Sequence, residues 1–440
     1  MCSIGNNFER YGIFMSIKLK VHENKRYLMT DSGDPFYYFG DTAWELFHRL
    51  TVDEADYYFS IRAKQGFNVI QAVALSEFDG LTVPNKYGRL PLINNNPTTP
   101  DLSGDYSYWA HVDKLIELAA KYNLFIALLP TWGDKFNKGW GIGPEIFDGD
   151  NAYTYGKWIG DRYKDSWNII WMLGGDRTLD NEVHFAVIDN MAKGIKDAGC
   201  DHLMTFHPCG GRSSFDHLSN RDYIDFHTVQ SSHATEGYLS YNLVRRTGEA
   251  EMKPFMDSEP RYEDHPANFN ANTGYLWNND DVRQNLYWNI FEGACGNTYG
   301  NHCIWSFTKE ITDYFQVKWL DALLHKGAWE SFYAMKLRYS RPYFELVRDP
   351  SLVDTSDVRM AHFAAARGED YAYIYSPLGE AFTAHLSGFK GKNKGLRASW
   401  FDPRSGEETV FAIVSDDDVR FVPPTSGKGQ DWILIIDAVK

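Results

Sequence analysis

Cysteine is scarce. The 440 residues hold only five, Cys2, Cys200, Cys209, Cys295 and Cys303. The number is odd and no pair has C-x-x-C spacing, so neither a disulfide framework nor a zinc cluster is indicated. Long apolar runs are also missing. No stretch approaches the roughly 18 consecutive apolar residues that a membrane-spanning helix needs. Positive charge is in deficit, with a formal net charge of −15. That disfavours nucleic acid, which is held chiefly by Lys and Arg against phosphate, and anionic membrane surfaces with it. The opening MCSIGNNFERYGIFMSIKLK has an apolar patch from Tyr11 to Met15 but lacks the basic, apolar and small-residue order of a signal peptide. Met15 offers an alternative start. As written the chain reads as cytoplasmic, and a different N-terminus would make it secreted or periplasmic. There is no internal repeat, low-complexity tract or long linker.

What is present is a globular composition, 43% apolar and 23% charged, in a length that fits a large domain plus a smaller one. Aromatic residues reach 16%, with 14 Trp, 27 Tyr and 28 Phe. Many belong to core and domain packing. Others fall near strand ends and loops, where ring faces suit the C–H faces of sugars.

From about residue 36 to 325 short apolar runs alternate with amphipathic segments. The runs are PFYYFGDTAW, FNVIQAVAL, LFIALLPTW, NIIWMLGGD, HLMTFHP, IDFHTVQSS, KPFMDSEP and HCIWSF. Several are almost continuously apolar, as parallel strands covered on both faces are. Between them, TVDEADYYFSIRAKQG carries a capping-box pair in Thr51 and Glu54 and ends at Gly66. DYSYWAHVDKLIELAAKYN sets Trp109, Val112, Leu115, Ile116 and Ala119 on one helical face. NEVHFAVIDNMAKGIKDAG stops at Gly199, and DDVRQNLYWNIFEGA follows the seventh run. Eight strand-like runs over this length predict a (β/α)8 barrel, for which about 250 residues is typical. A doubly wound open sheet is the alternative, weakened by the absence of a Gly-rich phosphate loop after the first strand. After about 335 the texture changes to short alternating strands, which predict a small antiparallel β-sandwich packed against the barrel. The expected division is 1–335 and 336–440.

A barrel of this kind places its active site at the C-terminal ends of its strands. Strand one ends in Asp41, Thr42, Ala43 and Trp44, and Glu77 follows strand two, with Asp79 nearby. Strand three ends in Thr131 and Trp132, and strand four in Gly174, Gly175, Asp176 and Arg177. Strand five ends in His207 and strand six in Gln230, with His227 and His233 close by. Strand seven carries Asp257 and Glu259, and the eighth run carries Trp305. Such a ring of carboxylates, imidazoles and indoles implies a polar ligand. A metal-dependent hydrolase would use His207, His227 and His233, although strand one lacks the His-x-His expected of that chemistry. No lysine ends the strand-six run, which weakens a Schiff-base reading.

A two-carboxylate glycoside hydrolysis fits the ring best. One carboxyl protonates the leaving oxygen and another meets the oxocarbenium-like centre. Asp176 and Glu259 are the candidate pair. The two glycines before Asp176 permit a tight turn and leave room for a sugar. Pro260 restricts Glu259 to extended conformations. Asp257, in a supporting role, would either repel Glu259 or be paired with Arg177 or Arg261; an arginine partner for Glu259, such as Arg261, would instead make Glu259 part of a structural ion pair. Asp41, Trp44, Glu77, Trp132, Arg177, His207, Gln230, His233 and Trp305 are the expected substrate contacts. No metal or organic cofactor is expected. A non-catalytic glycan-binding barrel would show the same aromatic cleft, though it would have no use for both carboxylates.

YFGDTAWELFHRLT, GFNVIQAVAL, LLPTWGDK, NIIWMLGGDR, MDSEPRYE and WFDPRSGE together resemble the DUF4038 apiosidase-like group, which includes glycoside hydrolase family 140. The resemblance runs from about residue 16 to the C-terminus, and GGDR and the SEP stretch are its most specific points. It implies a barrel followed by a sandwich of the collagen-binding type. It also implies acid/base and nucleophile after strands four and seven, hence Asp176 as acid/base and Glu259 as nucleophile of a retaining mechanism. The usual arrangement in such barrels puts Asn-Glu after strand four, where this chain has Gly-Asp. The substrates implied are pectic, apiose-bearing glycans.

Overall fold

The computed structural model describes residues 17–234, 239–354, 356, 358–389 and 395–439. Cys2, Met15 and the apolar patch beginning at Tyr11 lie outside them. A small antiparallel sheet of Leu19–Val21, Leu28–Thr30 and Pro35–Phe36 comes first. Eight parallel strands follow: β1 (Tyr38–Thr42), β2 (Val69–Val73), β3 (Phe125–Leu129), β4 (Ile169–Gly174), β5 (Met204–His207), β6 (His227–Gln230), β7 (Phe255–Asp257) and β8 (Gly296–Tyr299). Their order is β5-β4-β3-β2-β1-β8-β7-β6. Every residue in them is buried, so both faces demand side chains that need no water.

The ring closes between β5 and β6 without a regular ladder. Asp225 N–H donates to the Met204 carbonyl at 2.8 Å. Thr205 Oγ1 donates to the Phe226 carbonyl at 2.6 Å, and the Thr228 hydroxyl donates to that of Phe206. Threonine hydroxyls thus satisfy carbonyls that strand pairing would otherwise take. This closure makes a barrel of what could have been an open sheet.

The main helices are α1 (Val52–Lys64), α2 (Tyr108–Lys121), α3 (Gly149–Tyr163), α4 (Glu182–Asp197), the single turn α5 (Phe215–Leu218), α6 (Ser240–Ala250), α7 (Asn279–Phe291) and α8 (Lys326–Arg338). The capping box of α1 forms as the sequence implies. Glu54 N–H donates to Thr51 Oγ1 at 3.3 Å, and Thr51 N–H donates to Glu54 Oε2 at 3.0 Å. The apolar face of α2 is buried at all five expected positions. α3 and α4 approach closely because α3 is small where they meet. A Cβ on Gly156 would lie 2.4 Å from the Met191 carbonyl oxygen.

Two expectations need correction. The eighth strand is Gly296–Tyr299, and HCIWSF turns away after it. Its apolarity reflects burial of Cys303 and Ile304 in the core and not strand pairing. The expected division at 335/336 falls inside α8, and pairing in the C-terminal domain starts at Val347–Arg348.

That domain has strands β9 (Ala364–Arg367), β10 (Tyr371–Ser376), β11 (Phe382–His385), β12 (Leu396–Asp402), β13 (Glu407–Val414), β14 (Asp418–Phe421) and β15 (Trp432–Ala438). Six strands form one antiparallel sheet, in the order Val347–Arg348, β9, β10, β15, β12, β13, while β11 and β14 pair separately. Ile374, Phe382, Trp400, Phe421 and Leu434 fill the core between them. The domain is bolted to α7. Arg283 Nη2 donates to Asp431 Oδ1 at 2.6 Å, and Trp288 Nε1 donates to the His362 carbonyl at 2.9 Å.

Candidate active site

Glu259 follows β7 by two residues, in a segment stapled to β6 and to the barrel interior. Ser258 N–H donates to the Val229 carbonyl at 2.9 Å, and Gln71 Nε2 from β2 donates to the Ser258 carbonyl at 2.9 Å. Asp257 is fully buried beneath it. Its carboxylate accepts from Ser231 Oγ at 2.5 Å, Ser231 N–H at 3.2 Å, Asn289 Nδ2 at 3.3 Å and the backbone N–H of Glu259 at 3.3 Å. Burial pushes its pKa up to about 6 against those bonds. Asp257 therefore orients the Glu259 backbone. The arginine partners expected for it are elsewhere.

The Glu259 carboxylate rests between two imidazoles, not against an arginine. His233 Nε2 lies 3.2 Å from Oε1. His207 Nε2 lies 3.1 Å from Oε2, off the line of a well-aligned hydrogen bond. His207 Nδ1 accepts the Asp176 backbone N–H at 3.3 Å, which leaves Nε2 to carry the proton facing Glu259. Burial raises the Glu259 pKa, but His207 and His233 outweigh it and hold the group below the usual carboxylate range.

Asp176 follows β4 on a turn of three consecutive left-handed residues, Gly174 (φ 89°), Gly175 (φ 116°) and Asp176 itself (φ 55°). A Cβ on Gly174 would meet the His207 carbonyl at 2.6 Å, and one on Gly175 would meet Gly133 N at 2.7 Å. The space expected for a sugar beside these glycines is filled by the protein's own backbone. Asp176 Oδ2 accepts from Trp140 Nε1 at 3.2 Å and Arg177 Nη1 at 3.3 Å. Burial, then the charge of Glu259, push its pKa above the usual range against Arg177, His207 and a hydrogen bond from Gln230. Two carboxylates in one site are thus driven apart, one poised to hold a proton and the other to stay ionised.

Glu77 stands half-buried by this pair. Burial and the neighbouring Glu45, Asp176, Asp134 and Glu259 carboxylates push its pKa well up. Trp44 and Trp132 contact His207 with ring centroids 5.2 and 5.9 Å away. Both are almost fully buried, so they form the wall behind His207 and do not offer open faces to a sugar. Trp305, half-buried, sits in the loop after β8 and stacks on Phe78 at 5.6 Å.

Two expected contacts are used elsewhere. Asp41 is 0% exposed and is bound to Arg62 Nε at 2.6 Å and to the Tyr58 hydroxyl, so it anchors α1 to β1. Arg177 is buried as a strut: Nη1 donates to the Asp176 carbonyl at 2.7 Å, Nε donates to that of Asn137 at 3.1 Å, and its guanidinium lies 4.1 Å from the Trp140 ring centre. The histidines considered as metal ligands are similarly engaged. His207 and His233 serve Glu259, and His227 joins Ser214 at 2.8 Å to Glu251 at 2.9 Å. Among the described residues, no three His, Cys, Asp or Glu side chains group to hold a metal ion.

Sequence reasoning missed Trp140, which is 68% exposed and bonded to Asp176. It missed Glu45 and Tyr262 as well. The Tyr262 hydroxyl is buried beside Glu259, Thr42 and Trp44. The signal for Trp140 was a lone indole in the glycine-rich loop KGWGIG.

Residues 22–345 match the family described as the apiosidase-like catalytic domain. Residues 347–437 match one described as a collagen-binding domain of a collagenase. A solved structure described as a glycoside hydrolase is 31% identical over 96% of each chain, with a TM-score of 0.87. A glycoside hydrolase family 5 protein from Bacteroides vulgatus is also 31% identical, over 96% of this chain and 93% of its own, with a TM-score of 0.87. An endo-1,4-β-mannanase from Rhizomucor miehei, 15% identical over 73% of this chain and 99% of its own, shares the fold alone at a TM-score of 0.52. No curated protein matches the chain.

Proposed function

The chain belongs to the family of apiosidase-like catalytic domains and is a glycoside hydrolase, and from that premise we propose that it cleaves a plant-type, pectic glycan, with apiose-bearing chains included, by a retaining mechanism. The observation that carries the reading is the opposed tuning of Asp176 and Glu259 at the ends of β4 and β7.

Asp176 enters protonated and donates to the glycosidic oxygen as the bond breaks. Glu259, kept ionised by His207 and His233, attacks the anomeric carbon. Asp176, now a base, takes a proton from the water that releases the sugar. Trp140 on one rim, with Trp305 and Phe78 on another, supplies the open ring faces. Glu77 and Gln230 hold hydroxyl groups, whose hydrogen bonds gain strength as charge develops in the transition state.

The test starts with a screen of plant cell-wall oligosaccharides and of aryl furanosides and pyranosides. On the substrate found, Asp176→Asn and Glu259→Gln should each lower turnover by about 10²–10⁴-fold or more with the fold intact by circular dichroism. Proton NMR of the first-formed anomer should show retention. Near-wild-type turnover in either variant would remove the assignment, and an inverted first product would remove the nucleophile.

A further inference from the structure

A cavity of about 570 Å³ lies between the barrel and the C-terminal domain. Its volume is within the range of small-molecule sites, roughly 300–1,000 Å³. Arg261, Tyr275, Trp277, Gln284, Met360 and Lys428 are among its lining residues. Arg261 is 2% exposed, yet what it touches is neutral. Nη1 donates to Gln284 Oε1 at 3.3 Å, Nη2 lies 3.9 Å from Met360 Sδ, and the guanidinium carbon is 4.5 Å from the Trp277 ring centre.

A buried cation without an anion is costly. Arg62, Arg177 and Arg283, equally buried, each hold a carboxylate, while Arg338, also 2% exposed, instead donates to the Tyr343 carbonyl at 2.7 Å and lies against the Tyr27 and Tyr343 rings. Among the described residues Arg261 has no carboxylate within ion-pair distance. Three acids line the cavity as well, each committed to another group: Asp281 to the Tyr275 hydroxyl at 2.7 Å and Lys428 at 3.4 Å, and Asp280 and Asp431 to Arg283 at 3.2 and 2.6 Å. Burial lowers the Arg261 pKa, against the more distant charges of Asp281 and Tyr275.

We propose that this interdomain cavity binds the carboxylate of an acidic saccharide, with the Arg261 fork as its receptor and the Tyr275 ring as its sugar platform. A guanidinium presents two parallel N–H donors that match a carboxylate. Tyr275, 37% exposed at the cavity, offers a ring to stack on. Lys428, beside that ring, is bonded to the Tyr275 hydroxyl and paired with Asp281. The saccharide half of the proposal rests on the glycan reading above; the anion half stands on Arg261 alone. The cavity shares a wall with the catalytic site. Trp277 Nε1 donates to the carbonyl of His233, whose ring faces Glu259, and Arg261 follows Glu259 by two residues.

The test is calorimetric titration of the full-length Glu259→Gln protein, which separates binding from turnover. The ligands are D-glucuronate, D-galacturonate, their neutral counterparts D-glucose and D-galactose, and acetate. At least one uronate should bind at least tenfold more tightly than its neutral counterpart and than acetate. Arg261→Gln should lose at least tenfold in uronate affinity. Arg261→Lys, which keeps charge but not the fork, should fall between. Tyr275→Ala, at an exposed position, should bring uronate affinity down toward that of acetate, and melting curves should show all variants folded. Equal affinity for uronate and neutral sugar, no uronate binding, or wild-type affinity in Arg261→Gln would overturn the proposal. Acetate binding as tightly as uronate would overturn the saccharide assignment. These affinities do not depend on turnover, so they fail or hold separately from the glycosidase reading.

Discussion

Burial alone would favour the neutral form of Glu259, because a low-dielectric site penalises the charged carboxylate. Two imidazoles reverse that preference, and the same ionised Glu259 helps keep the proton on Asp176. The pH dependence of kcat/KM should therefore be a bell. Its acid limb, protonation of Glu259, falls below the ordinary carboxylate range of about 4. Its alkaline limb, loss of the Asp176 proton, falls above that range. Replacing His233 by Ala removes a group that favours the Glu259 anion, so the acid limb should move to higher pH. The alkaline limb should stay, since Glu259 remains ionised where Asp176 titrates. Initial-rate profiles of the two proteins check this, and an unmoved acid limb would mean that His233 does not tune Glu259. Asp176 and Glu259 were legible as a pair because both sit at strand ends. His207 and His233 were legible as residues, but their role as clamps on one carboxylate depends on a fold that brings positions 207, 233 and 259 together. Asp41 misled because a carboxylate at a strand end looks the same in sequence whether it faces the cleft or Arg62.

Seven of the eight barrel strands could be read from the chain, β2, β3 and β4 because strands covered on both faces are nearly continuously apolar, and β6 (HTVQ), as polar as the eighth, only from the rhythm of its neighbours. The eighth, GNTY, is four residues long and half polar. Its Asn297 and Thr298 belong to a buried hydrogen-bonded layer in which Thr298 Oγ1 donates to Gln71 at 3.0 Å and Asn289 Nδ2 donates to Asn297 Oδ1 at 2.6 Å. Apolar periodicity cannot report a strand whose contacts are polar, and the more apolar HCIWSF drew the assignment instead. The loop bearing Trp140 has no periodicity at all. The seam between β5 and β6 was equally hidden, since it depends on two threonine hydroxyls. Each of Thr205→Val and Thr228→Val keeps the shape and removes a donor to a buried carbonyl, so each should cost about 1–3 kcal/mol of stability. Urea denaturation measures it. Because His207 ends β5 beside this seam, the double variant should also lose activity at temperatures where it remains folded. A loss within error of zero would mean that the seam is held by side-chain packing alone.

At the scale of the whole chain, two domains share one core. Tyr287, Trp288 and Phe291 of α7 cluster with Tyr373, Tyr375, Phe401, Ile433 and Ile435 of the sandwich in the same continuous apolar group. At its edge Arg283 is buried among Asp431, Glu330 and Asp280, while Asp431 also accepts from the Tyr375 hydroxyl at 3.1 Å. One arginine therefore ties a barrel helix to the loop that leads into β15. Domains joined by a flexible linker would melt independently, whereas domains sharing a core should unfold together. The expected result is a single calorimetric transition for the full chain. Asp431→Ala leaves Arg283 buried with two of its three acids and removes the partner from the sandwich side. Breaking a buried pair in this way costs about 3–5 kcal/mol; the two remaining acids place this case at the lower end, about 3 kcal/mol. That loss should lower the midpoint of the single transition without splitting it. Two separated transitions in the variant, with the barrel midpoint unchanged, would mean that the sandwich contributes nothing to barrel stability.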